Sequence, residues 1–251
     1  MQTLQYGNAP MQAGDLYLPD AQIKGTICLL HGGFWRAPYG REQLNVMAND
    51  LVKHGYAVWN LAYRRIGDDG GGCPGTFDDV IAGIRFLTTI KNKNLDSVLD
   101  RVVLVGHSAG GQLALWAAHR TMQLKLQTIN IVASIALAPI SDLIEAQKLT
   151  LGRGAIDELF SACLSDKSQR LTQYSPQALL PLNVRQLIIH GEEDDNVPIE
   201  LSQSYVSKAK SLGDQIELLA LPSTGHMEFL AIESDAYRAL LTGLQRIFQY
   251  A

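Results

Sequence analysis

Cysteine is scarce in this chain, its charges nearly balance, and no long apolar run occurs; each shortage removes a class of function. A formal net charge of −4 gives no electrostatic reason to expect a nucleic acid or an anionic membrane as partner. The three cysteines, Cys28, Cys73 and Cys163, are odd in number and widely spaced. They form no CxxC pair and no zinc-ligand pattern, so no metal site is expected. Free thiols in a cytoplasmic protein are the expectation that follows, with Cys28, inside an apolar run, as a small core residue. No stretch reaches the roughly 18 apolar residues that a membrane-spanning helix needs. Residues 1–19 lack a basic segment followed by an apolar core, so no signal peptide is expected either.

What is present suits a globular protein. Apolar residues make up 47% of the 251 and charged residues 18%, enough for one large domain with a substantial core. Short apolar runs at 25–30, 57–61, 102–105, 131–137, 187–190 and 217–221 read as strands. Several are apolar at consecutive positions, as strands buried on both faces should be. Helical patterns lie between them at 41–54, 76–90, 110–121, 200–212 and 234–250. That alternation predicts an α/β fold: a mostly parallel central sheet with helices on both faces. The glycine-rich stretch 66–76 must be a turn-dense loop. Residues 141–181 are too long for a simple connection and carry a helical patch at 157–165; they read as a small cap insertion. One domain over 1–251 is expected, with no repeat and no internal boundary.

The most informative segment is Gly106-His107-Ser108-Ala109-Gly110, preceded by Val-Val-Leu-Val and followed by a helical pattern. A G-x-S-x-G sequence between strand and helix is a nucleophile elbow. The turn strains the serine backbone, and glycines on either side remove the side chains that would collide. Ser108 is therefore the expected nucleophile, at a helix N-terminus whose dipole favours developing negative charge.

His31-Gly32-Gly33-Phe34-Trp35 places a glycine pair just after an apolar strand. Amides of Gly33 and Phe34, with that of Ala109, are the expected oxyanion donors. Trp35 and His107 are expected to contact substrate. His31 opens the oxyanion loop and reads as a residue that holds its backbone rather than as a base.

The acid should follow a strand end and reach the imidazole of the base. In His190-Gly191-Glu192-Glu193-Asp194-Asp195-Asn196-Val197-Pro198 both Asp194 and Asp195 qualify, with Asp142 as a further alternative and His190 as a structural strand-end residue; the HG-x-x-D-x-x-V-P spacing, which resembles one familiar in the α/β-hydrolase fold, selects Asp194. His226, in a Gly225-His226 pair after the last apolar strand, is the expected base. The chain order serine, aspartate, histidine is the hydrolase order.

Together HGGFW, GHSAGG, HGEEDDNVP and GH resemble the α/β-hydrolase superfamily over essentially the whole chain. HGGFW is similar to the HGGxW motif of kynurenine formamidases (arylformamidases); small carboxylesterases, acetyl or feruloyl esterases and the prolyl-oligopeptidase catalytic domain are further resemblances. These imply the triad Ser108, Asp194 and His226, an oxyanion loop from Gly32 to Trp35, and no cofactor. The segment Arg64-Arg65-Ile66-Gly67-Asp68-Asp69 and its glycines departs from the formamidase pattern and is expected to border the site. The leading expectation is hydrolysis of a small or medium carboxylic ester through an acyl-enzyme. Formamide hydrolysis, cleavage of short peptides and non-catalytic binding are the alternatives.

Overall fold

In the computed structural model, which describes residues 1–90, 95, 98–124, 129–163 and 167–249, eight strands form one sheet in the order β1-β2-β4-β3-β5-β6-β7-β8. They are β1 (Gln2–Gln5), β2 (Ala13–Tyr17), β3 (Thr26–Leu30), β4 (Ala57–Leu61), β5 (Val102–His107), β6 (Ile131–Leu137), β7 (Arg185–Gly191) and β8 (Ile216–Leu221). From β4 to β8 all neighbours run parallel; β1 and β2 pair antiparallel with each other, and β2 pairs antiparallel with β4. The N-terminal hairpin is absent from the sequence-based strand set. Its residues are mostly polar or lie in a short run, and an ion pair helps hold it: Arg41 reaches Asp15 at 2.7 Å.

The consecutive apolar positions have the predicted cause. Along β3, Cys28 and Leu30 point into one core cluster, while Ile27 and Leu29 point into the other. Helices α2 (Gly75–Phe86), α3 (Ala109–Leu124) and α8 (Ile199–Ser211) cover the first face; α1 (Asn45–Lys53) and α9 (Asp235–Gln249) cover the second. Position 250, included in the last predicted helix, lies outside the described residues.

Among the described residues between β6 and β7 are four short helices: α4 (Leu143–Lys148), α5 (Leu151–Leu159), α6 (Lys167–Tyr174) and α7 (Pro176–Leu179). The helical patch expected at 157–165 starts earlier, and its last two positions lie outside the described residues. The insertion is tied to the glycine-rich loop after β4. The Cys73 amide donates to the Leu159 carbonyl at 2.7 Å, and Cys73 is disulfide-bonded to Cys163 with a Cα–Cα distance of 6.1 Å. This corrects the expectation of three free thiols. Two cysteines 90 positions apart give no local signal, and only the packing of loop against insertion brings them together. Cys28 is free and buried, as expected of a core residue.

The bond has a measurable consequence. Thiol titration of the denatured, unreduced protein should count one reactive cysteine, and three after reduction. A count of three without reduction would contradict the bridge. Closing a loop of this length restricts the unfolded chain, so replacing both Cys73 and Cys163 by serine should lower stability by roughly 3–4 kcal/mol, read from denaturant melts.

Candidate active site

Ser108 stands between β5 and α3 with φ +57°, the left-handed region that a side chain adopts only under constraint. The constraint is steric and hydrogen-bonded. The Ser108 amide donates to the Leu137 carbonyl at 2.8 Å, and its own carbonyl accepts from Gly111 at 2.9 Å to open the helix. A Cβ on Gly106 would collide with the Gly110 backbone, and one on Gly110 with the carbonyls of Leu30 and His31. The elbow thus fits only because strand end, helix start and the end of β3 touch backbone to backbone.

The loop after β3 passes over the serine. A Cβ placed on Gly32 would lie 3.1 Å from the Ser108 Cβ. Gly33, Phe34 and Trp35 follow with φ of +99°, +49° and +57°, closed by a bond from the Arg36 amide to the Gly33 carbonyl at 3.0 Å. No residue among those described accepts a hydrogen bond from the amides of Gly33, Phe34 or Ala109. These three amides are thus unpaired among the described residues, and Ala109 opens α3 at its positive end.

Asp194 lies three residues beyond β7, with its side chain fully shielded from solvent. Its Oδ1 accepts from the amides of Asn196 at 2.9 Å and Val197 at 2.8 Å; its Oδ2 accepts from His226 Nδ1 at 2.7 Å. Burial alone would raise the pKa of this carboxyl. The hydrogen bonds from His190, His226 and the Val197 amide outweigh that cost and hold it below the ordinary carboxylate range. The turns carrying acid and base are joined along their backbones. Glu192 and Glu193 donate to the carbonyls of Leu221 and Thr224, at 2.9 and 3.0 Å. The two alternative acids are placed elsewhere. Asp195 is exposed and accepts from Asn196, while Asp142 caps α4 through the Ile144 and Glu145 amides.

His226 is 7% exposed and Ser108 2%. No hydrogen bond joins Ser108 Oγ to His226 among the described residues, and contacts of this kind tighten when substrate binds. His107 links the two: it directly precedes Ser108, its Nε2–H donates to the His226 carbonyl at 2.9 Å, and its ring centroid is 4.7 Å from that of His226. Burial, reinforced by the neighbouring His226, pushes His107 down to about 3, so its ring is neutral at working pH.

Of the two residues expected to contact substrate, Trp35 has no exposed surface; its indole N–H donates to Gln112 on α3 at 3.2 Å. His107 is likewise buried, against the His226 ring. His31 is buried and stacked on Tyr63 with centroids 4.2 Å apart, and burial pushes it down to about 4. The Arg64–Arg65 segment is occupied internally: Arg64 grips buried Asp79, and Arg65 grips Asp68. It meets the loop after β3 through backbone bonds between Ile66 and Trp35 and between Ala37 and Ile66.

Sequence reasoning missed Arg36. Its guanidinium reaches Glu158 at 2.7 Å and the Gly152 carbonyl at 2.7 Å, tying the insertion to the loop after β3. An arginine one residue past a motif carries no signal of a partner more than 100 positions away.

The sequence model of the family described as BD-FAE matches residues 14–209. Among curated proteins, the isoprenylcysteine alpha-carbonyl methylesterase ICME of Arabidopsis thaliana is 23% identical over 90% of this chain and 56% of its own length. The chain thus spans little more than half of that relative. Among solved structures, a bifunctional GH43-CE protein of Bacteroides eggerthii superposes with a TM-score of 0.81 at 21% identity, over 97% of this chain and 37% of that one. Esterase B of Lactobacillus rhamnosis superposes with a TM-score of 0.80 at 19% identity, over 98% and 84%.

Proposed function

Because the chain belongs to the BD-FAE family and has the α/β-hydrolase fold, we propose that it is a serine hydrolase that cleaves carboxylic esters of small or medium substrates. The observation that carries this reading is the 2.7 Å hydrogen bond between His226 Nδ1 and buried Asp194, on the turns beside the Ser108 elbow. In the proposed mechanism His226 Nε2 takes the proton of Ser108 as Oγ attacks the carbonyl. The Gly33, Phe34 and Ala109 amides receive the oxyanion, and Asp194 stabilises the imidazolium. His226 then protonates the leaving alcohol, and water repeats the sequence on the acyl-enzyme. The methylesterase and esterase relatives support an ester as substrate.

The whole chain acts as one catalytic domain in this reading. The insertion between β6 and β7 is its cap, since Arg36 ties it to the oxyanion loop. No helix among the described residues is long and apolar enough to cross a membrane. The Cys73–Cys163 bond favours an oxidising compartment over the cytoplasmic location expected from unpaired thiols.

A second reading, formamide hydrolysis, is favoured by one feature, the HGGFW loop. Initial rates on p-nitrophenyl acetate and on N-formylkynurenine separate the two. The expected result is ester turnover with the formamide near background; a preference for the formamide would reverse the assignment.

A further inference from the structure

We propose that His190, read from the sequence as a strand-end structural residue, is a positioning residue that keeps Asp194 aligned with His226. The inference rests on the serine-hydrolase reading of the site and adds a member to it. His190 lies in β7 with no exposed surface. Its Nε2 is 2.9 Å from the Val197 carbonyl and 3.3 Å from Asp194 Oδ2; its Nδ1 is 2.7 Å from Ser202 Oγ on α8.

These partners assign the protons. The Val197 carbonyl can only accept, so Nε2 carries the hydrogen. Nδ1 is then the acceptor, and the buried Ser202 hydroxyl donates to it. Val197 thereby fixes the tautomer whose N–H faces the acid turn, and Ser202 supports it from behind. Val197 is held at both ends: His190 binds its carbonyl, while its amide binds Asp194 Oδ1. The Oδ2 atom that serves His226 also lies beside the His190 N–H. Two imidazoles from different strand ends thus flank one carboxylate oxygen. A histidine that merely filled space would need neither the serine behind it nor the turn in front of it. Partners of this kind orient the groups that act, and their loss commonly costs 10–100-fold in activity (about that range for metal-site analogues).

Other groups around the acid–base pair stay in place in the test. They are His107 from β5, against the His226 ring, Glu228 just after the base, and exposed Glu193 and Asp195 on the acid turn. His190→Gln keeps a donor near the Nε2 position; His190→Asn keeps a polar atom facing Ser202 but cannot reach Val197 or Asp194. Ester hydrolysis would be measured across pH, with the Ser108→Ala rate subtracted. For His190→Asn, kcat should fall about 10–100-fold with KM little changed. The acidic limb of kcat/KM should move to lower pH, because a loosened carboxylate stabilises the His226 imidazolium less. His190→Gln should recover most of both.

Equal losses in the two variants would overturn the proposal. So would a folded His190→Asn enzyme with the wild-type kcat and acidic limb, even if it melts at lower temperature. Should His190→Asn fail to fold, Ser202→Ala decides: a smaller kcat loss with the same displacement supports the proposal, and an unchanged profile overturns it. Wild-type activity in Ser108→Ala would instead reject the site itself, whatever His190 does.

Discussion

Replacing Ser108 by alanine should abolish ester hydrolysis, a loss of roughly ten-thousandfold or more in kcat, and leave the fold intact. The size follows from chemistry. Without Oγ there is no acyl-enzyme, and His226 has no proton to take. What remains is the modest effect of the Gly33, Phe34 and Ala109 amides on direct attack by water. The fold should survive because alanine keeps the Cβ that fits the turn. The left-handed φ of +57° costs the two residues about the same, and no described partner depends on the hydroxyl. Rates on p-nitrophenyl acetate, with a thermal melt of the same preparation, check both statements. A melt within a few degrees of wild type with activity retained would remove Ser108 from the mechanism. A serine-directed phosphonate offers a second reading, since it should label wild type at residue 108 and leave the variant unlabelled.

Asp194→Asn should be nearly as damaging, on the order of a thousand- to ten-thousandfold in kcat/KM at neutral pH. The carboxylate now accepts from His226 Nδ1, which leaves Nε2 free to receive the serine proton. An asparagine that keeps its oxygen on the Val197 and Asn196 amides turns its NH2 toward both imidazoles. His226 must then accept at Nδ1 and carry its proton at Nε2, the wrong tautomer for a base. The same substitution has a pH signature in stability. The folded carboxyl sits below its ordinary value, so its contribution is present above the unfolded pKa of about 4. That contribution is lost as pH falls through the folded value. The stability gap between wild type and Asp194→Asn should therefore be full at pH 7 and shrink below about pH 4. Denaturant midpoints at several pH values measure it. A gap that does not change with pH would mean that the charge on Asp194 adds nothing to the fold.

Some elements could be read without coordinates because their cause is local. β3 through β8 announce themselves as apolar runs bounded by turns, and for β3 through β7 both-face burial is the reason those runs do not alternate. The elbow at Gly106–Gly110 is equally local, since five consecutive residues contain both the strained position and the glycines that permit it. The order of Ser108, Asp194 and His226 along the chain follows from the order of the strands that carry them. The N-terminal hairpin was hidden because it leans on Arg41 of a later helical turn. A sequence window sees only the mostly polar Gln2–Gln5 and the short mixed run Ala13–Tyr17.

Residue types and spacing by themselves determined the α/β alternation, the strained elbow at Ser108, the glycine loop after β3 and a ranked set of candidate acids, because each is encoded within a dozen neighbouring positions. Tertiary structure alone decided which partners meet across long separations. It brought Asp194, the acid the local spacing already favoured, against His226, bonded Cys73 to Cys163, and clamped Arg36 to the insertion. It also buried Trp35 and His107 and turned His190 toward the acid. Each of these depends on where two distant backbones come to lie, a result of packing the two faces of the sheet that no local pattern records.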